Sequence, residues 1–453
     1  MITTMDTATG ALAAHAALGV ERLLAMDPAL HSMLEREHLR QEATLAMVAS
    51  SSAADPSVLA CAGSSLSNLT TEGYPGARYH AGCAIADEVE QLATDRARSL
   101  FAAQYANVQP HSGSTANQIV MCALLRPGDT VLGMELSAGG HLTHGSRASM
   151  SGRFFDSVGY GIDADGFLDY GAVERLARQH RPRLIVCGAS AYPRAIDFAR
   201  FRAIADSVGA FLLADISHIA GLVAAGIHPS PIDHAHVTTT STYKQLYGPR
   251  GGLILSGRDS HTVLPGGRRT LAQALQHGTF PLLQGTPDLG AVAAKARAFD
   301  VAAQPEFRAL AAAIAVNARS LAEALADLGH ALVTGGTDNH MVLVDVGRGG
   351  LTGAAAEQAL ADCGIIVNRN QVPGDTRGPR ITSGIRLGAN TLALRGMGPN
   401  EMRICAALID RILAALPLSS GDAVTLDHAV RNEVREAVAE LCRAFPLPHN
   451  ALR

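Results

Sequence analysis

Lys244 closes a run of hydroxyl side chains, Thr238-Thr239-Thr240-Ser241-Thr242-Tyr243-Lys244, and is followed by Gln245-Leu246-Tyr247-Gly248-Pro249-Arg250-Gly251-Gly252. A lysine at a strand end among neutral hydroxyls can lose its proton and attack an aldehyde to form a Schiff base. A lone lysine is ordinarily a solvated surface residue, so a second group has to shift the balance. It lies upstream, where Phe211-Leu212-Leu213-Ala214-Asp215-Ile216-Ser217-His218 reads as a buried strand ending in Asp-x-x-His. A Schiff-base amine and an acid that keeps a pyridine nitrogen protonated are the pair that pyridoxal 5'-phosphate (PLP) needs.

Three further stretches carry reactive side chains. His111-Ser112-Gly113-Ser114-Thr115 opens a helical pattern, which suits a phosphate cradle made of free N–H groups and hydroxyls, although a plain helix cap looks the same. The Gly/Pro-broken loop from Asn68 to Cys83 carries Glu72, Tyr74, Arg78, Tyr79 and His80, and reads equally as a site wall or a solvated turn. His141-x-x-His144 has a spacing that a metal could use, but no metal is expected.

The elements that must position these groups alternate. Thr130–Met134, Arg183–Cys187, Phe211–Asp215 and Val237–Thr240 read as strands, and 170–179 and 197–208 as helices between them. Such alternation predicts a mainly parallel sheet wrapped by helices, with ligand groups at strand ends. No G-x-G-x-x-G follows a strand, which argues against a dinucleotide fold. An Ala-rich helical region over 288–328 leads to a second unit, with strands expected at 331–334, 341–345 and 365–368 and helices at 353–361, 400–416 and 427–445. The expected domains are an N-terminal arm or helix (1–50), a large domain (51–300) and a small α+β domain (301–453).

The 453 residues exceed one compact core, and 47% hydrophobic content supports extensive burial. A net charge of -4 and the lack of a dense basic block exclude nucleic acid as the main partner. Seven scattered cysteines without a C-x-x-C pair indicate neither a disulfide framework nor a zinc knuckle. No signal peptide and no membrane-spanning stretch is read, so a cytoplasmic protein is expected.

With TEGYPGARYHAGC, YANVQPHSGSTAN, GGHLTHG, Ser190-Ala191-Tyr192, ADISHIAGLVAAG, TYKQLYGPRGG, TDNH and ITSGIRLG in order, the chain resembles serine hydroxymethyltransferase from about residue 30 onward. The resemblance implies an α/β fold-type I PLP enzyme, aspartate aminotransferase-like, with a seven-stranded-type sheet. It also implies that Lys244 carries the cofactor and Asp215 partners the pyridinium. Ser112, Gly113 and Ser114 would hold the phosphate, and Ser241 and Gly285 would also bind the cofactor. Ser190 would meet the 3-hydroxyl, and His218 the cofactor or substrate edge. Arg386 would grip the substrate carboxylate with Ser50 and Tyr79 nearby, Arg250 and Tyr243 would support the site, and Glu72 and His80 would act on the substrate hydroxyl. The family further implies a homodimer with shared active sites.

Several family positions differ. Ser51 replaces a glutamate, Thr70 and His80 replace tyrosines, Ala138 replaces the ring-stacking histidine, Tyr243 replaces a histidine, and 281–287 departs from the phosphate-loop pattern. Because these changes surround the cofactor, the expected function is specialised, antibiotic-type metabolism. The enzyme would act on a bulky β-hydroxy-α-amino acid through an external aldimine. Streptolidine-type β-hydroxyl elimination with cyclisation stands slightly ahead of retro-aldol or transaldolase Cα–Cβ chemistry. The same departures count against tetrahydrofolate, although Tyr79 and Asn368 match folate positions of the family. The alternatives are a folate-dependent serine or α-methylserine hydroxymethyltransferase and a degenerate PLP-binding protein.

Overall fold

The computed structural model describes residues 10–417 and 426–448. The first nine residues of the expected arm lie outside the described residues. Seven strands form one sheet: β1 (Tyr105–Asn107), β2 (Thr130–Met134), β3 (Asp156–Tyr160), β4 (Leu184–Cys187), β5 (Phe211–Asp215), β6 (Val237–Ser241) and β7 (Gly252–Ser256). Their order is β1-β7-β6-β5-β4-β2-β3. Strands β2 to β6 run parallel, while β7 is antiparallel to both its neighbours. The fold is therefore the fold-type I α/β architecture. The central strands are buried on both faces, which is why β4 reads as an unbroken apolar run.

The helices that matter below are α1 (Ala11–Met26), α2 (Pro28–Glu42), α3 (Ala84–Phe101), α4 (Gly113–Leu124), α5 (Leu289–Ala302) and α6 (Pro305–Asp327). A second sheet, β8 (Met341–Asp345), β9 (Asn368–Asn370) and β10 (Gly384–Gly388), is antiparallel with β10 in the middle. It has its own core, which takes in Leu45 and Met47 from far upstream. Leu45–Ala46 pairs in parallel with Ile365–Ile366. A cut at residue 50 thus separates in sequence what the packing joins. Helix α6 bridges the cores, with Phe307, Ala311 and Ile314 in one and Leu321, Ala322 and Leu325 in the other.

Two expectations need correction and one gains detail. The strand expected at 331–334 is a 3-10 turn, Val333–Gly335, with Thr334 at φ 61° and only an isolated bridge from Leu332 to Val344. The Ala-rich helical region expected over 288–328 is helical and holds two helices, because Gln304 leaves helical geometry just before Pro305 starts α6. Among the described residues one helix, α6, is long and apolar enough by length and composition to cross a membrane, contrary to the reading of none. Here its apolar face is in the protein core, and Asn317 on it donates to the Met397 carbonyl at 2.8 Å. In contrast, α1 and α2 bury nothing, and Leu12, Leu18, Val20, Leu24, Leu30, Met33 and Leu34 stand exposed on them.

Candidate active site

Asp215 ends β5 and Lys244 follows β6, at the carboxyl ends of neighbouring parallel strands. Both line one cavity of about 190 Å³, together with Ser112, Gly113, Ser114, Ser190, His218, Ser241, Tyr243 and Arg250. The structure thus gathers most of the expected cofactor residues in one place.

Asp215 is buried yet ionised. Burial alone would raise its pKa, but His144, hydrogen-bonded at 3.1 Å, and the Ser217 N–H at 3.0 Å hold it well below the usual carboxylate range. Asn117 also donates to Asp215 Oδ2 at 2.8 Å, and Thr239 Oγ1 donates to Asn117 Oδ1 at 2.5 Å, which fixes the amide's orientation. Burial pushes Lys244 down to about 8, against the opposing pull of Asp215 and with help from Arg386 and Arg250. A fraction of its amine is therefore neutral near pH 7 and able to attack an aldehyde. Arg250 lies over the Tyr243 ring, 4.1 Å from its centroid. Burial holds His218 neutral, and its Nδ1 has no partner.

At the other end, α4 begins at Ser112, whose Oγ accepts from the Thr115 N–H at 3.0 Å. Ser217 Oγ accepts from the Ser241 N–H at 2.9 Å, while Ser241 Oγ is buried without a partner. A Cβ on Gly113 would come within 3.1 Å of Ser241 N, so glycine lets the helix start approach β6. A helix N-terminus, an orphaned hydroxyl, a depressed amine and an ionised buried carboxylate on one cavity fit a phosphorylated pyridine aldehyde.

Arg386, on β10, is buried and remains a cation, with burial bringing its pKa down to about 10. Its Nη1 donates to the Ser190 carbonyl and its Nε to Asn368 Oδ1 at 3.0 Å. Asn368 therefore braces the arginine in this structure. The Ala49 carbonyl, next to Ser50, accepts from His340 Nε2 at 3.1 Å and Asn390 Nδ2 at 3.0 Å. Ser50 lines an adjoining cleft that shares Tyr243 and Arg250 with the main cavity.

Glu72, Tyr79, His80 and Gly285 are not brought to that cavity. Gly285 neighbours Glu72, since a Cβ there would stand 3.2 Å from Glu72 Oε1. Tyr79 is 75% exposed with its ring 5.5 Å from Phe280, and Leu69, Ile85, Leu282 and Leu283 are exposed as well. Ala138 is buried and does not line the cavity, whereas His141 does. His141, His144 and Asp215 present donor atoms within 4.8 Å of one another, but His144 Nε2 is engaged by Asp215 and His141 Nδ1 by Thr143.

Sequence reasoning missed Asn117, His144, Asn368 as a brace, and Lys295. Asn117 and His144 lay inside quoted motifs, HSGSTAN and GGHLTHG, yet only the fold shows that both reach Asp215.

The family model described as serine hydroxymethyltransferase matches residues 23–409. A serine hydroxymethyltransferase of Rhodospirillum centenum is 49% identical over 428 residues, covering 94% of this chain and 96% of that relative. Serine hydroxymethyltransferase 2 of Ralstonia nicotianae is 48% identical, covering 94% and 98%. The protein of the same name from Cupriavidus pinatubonensis is 48% identical over 423 residues.

Proposed function

Since the chain belongs to the serine hydroxymethyltransferase family of PLP-dependent enzymes, we propose that it moves the hydroxymethyl group of serine to tetrahydrofolate, leaving glycine. This replaces the expectation of an antibiotic-pathway cyclase or transaldolase acting on a bulky substrate. Near-half identity over almost the full length of proteins named serine hydroxymethyltransferase overturns it. That expectation rested on altered positions; Tyr243 among them lines the cavity, yet Lys244, Asp215 and the start of α4 are all kept there, and Thr70 and His80 are exposed in their own chain. The same relatives weigh against the doubt over tetrahydrofolate.

One observation carries the reading: Lys244, Asp215 and the α4 N-terminus share a single small cavity, with Arg386 reaching its Ser190 wall. PLP, when bound, supplies an electron sink for breaking a bond at the amino acid's Cα. Lys244 would hold it through its amine, and Asp215 would keep the ring nitrogen protonated. Ser112, Ser114, Ser241 and the free N–H groups of α4 would take the phosphate. Arg386 would bind the serine carboxylate and so set which Cα bond is aligned to break. Glu72 would exchange a proton with the substrate hydroxyl. Its place away from Lys244 in its own chain, beside exposed apolar side chains, supports a homodimer in which a second copy's Glu72 completes the site. His141 and His144 support the Asp215 end, with no metal assigned, and the enzyme works in the cytoplasm.

The test is incubation of PLP-loaded protein with L-serine and tetrahydrofolate, with glycine and the methylene-folate product quantified. Turnover on the order of 1 per second or faster is expected. Absence of glycine at saturating serine would refute the proposal.

A further inference from the structure

Lys295 is the most completely buried cation of the large domain, 1% exposed on α5, and the chemistry above makes no use of it. Its Nζ donates to three carbonyls: Val108 at 2.6 Å, Pro110 at 3.0 Å and Gly252 at 3.0 Å. An ammonium has three hydrogens, and each finds an acceptor here. Burial pushes its pKa down to about 7, while Asp288 and Glu90 pull the other way.

The three carbonyls share a location. Val108 and Pro110 lie on the segment that joins β1 to the Ser112 cap of α4. Gly252 starts β7, directly after Gly251, which lines the cavity. Pro110 O also accepts from the Gly252 N–H at 2.8 Å. The fit is close: a Cβ on Gly252 would stand 2.2 Å from Ser112 O, and one on Gly251 would stand 2.3 Å from Lys295 Cε. The ammonium is thus clamped behind both flanks of the helix start that faces the cavity. In its protonated form, which all three carbonyl acceptors favour, it adds a positive charge on the side to which a phosphate would bind.

We propose that Lys295 is a positioning residue for the cofactor phosphate, holding the Val108–Pro110 segment and Gly252 together so that the α4 N–H groups and Ser112 keep their aim. This rests on the reading that the cavity takes PLP. Pyridoxal, which lacks the phosphate, separates positioning from general damage.

Apo-protein carrying Lys295→Met, Lys295→Gln or Lys295→Arg is titrated with PLP and with pyridoxal, following the visible band of the bound aldehyde, and folding is checked by circular dichroism. Lys295→Met is expected to weaken PLP about tenfold or more, the scale of a lost charge-assisted contact, while pyridoxal changes less than about threefold. Lys295→Gln, which keeps two donors, should fall between, and Lys295→Arg should restore most of the preference for PLP. Equal weakening of both aldehydes, or unchanged PLP affinity, overturns the proposal. So does failure of all three variants to fold, which would make Lys295 a residue of the fold at large. Wild-type protein that gives no band with PLP would instead sink the cofactor reading itself.

Discussion

Asn368 and Arg386 are direct partners across the antiparallel pair β9 and β10, and Arg386 Nε donates to Asn368 Oδ1 at 3.0 Å. The amide occupies one edge of the guanidinium and the Ser190 carbonyl another, so the arginine is held before any carboxylate arrives. Asn368→Ala frees the Nε edge. We expect KM for serine to rise about tenfold, matching a hydrogen bond to a charged group worth roughly 1.5 kcal/mol, with kcat changed less. Steady-state kinetics check this, and an unchanged KM would show that the brace does not matter to the substrate.

Asp215 has three donors arranged around it, from Asn117, His144 and Ser217. Asp215→Asn keeps the shape and removes the charge. Loss of a preorganised charge aimed at a reacting group costs about a hundredfold or more in kcat. Asn117→Ala removes only one orienting bond and should cost far less. Parallel rate measurements with serine on the two variants, with PLP saturating, decide between charge and mere placement as the role of this cluster.

Glu72 does not line the cavity that holds Lys244 of its own chain. In a dimer with shared sites, homodimers of Glu72→Gln and of Lys244→Ala are both inactive. Subunits mixed one to one and exchanged should regain roughly a quarter of wild-type activity, because half the dimers are mixed and each has one intact site. A mixture that stays inactive after demonstrated exchange rejects the shared site.

His340 and His141 are neutral in the fold, with burial pushing them to about 3 and about 4 from an ordinary 6.5, and His218 is lowered too. Below pH 6.5 the unfolded chain takes up these protons and the folded chain does not. Stability is therefore complete above 6.5 and is lost as pH falls toward 4, each such histidine contributing a slope of up to about 1.4 kcal/mol per pH unit. His340→Gln should flatten the decline of Tm between pH 6 and 4. A wild-type Tm that is level over that range contradicts the buried-neutral state.

The central strands were legible because a parallel sheet covered on both faces demands unbroken apolar or β-branched runs, as in Leu184–Cys187 and Val237–Ser241. Strand β3 was not read, because as an edge strand with mostly exposed residues it carries no such pattern. Lys244 and Asp215 stood out because each ends a strand with an unusual side chain. Asn117, His144 and Lys295 did not, since their partners lie 98, 71 and 43 or more residues away. The functional expectation failed because a few changed residues within motifs do not by themselves change the reaction, and near-half identity to proteins named serine hydroxymethyltransferase outweighs them.

The thread from Leu45 to Ala49 lies along the second sheet, with the Gly388 N–H bonded to the Met47 carbonyl at 2.7 Å and His340 and Asn390 gripping Ala49. Ser50 and Arg386 are therefore fastened to the same small sheet, whereas Lys244 follows a strand of the large one. Under the proposed role of Arg386, any displacement of that small sheet would carry the arginine and Ser50 together, leaving their mutual spacing unchanged.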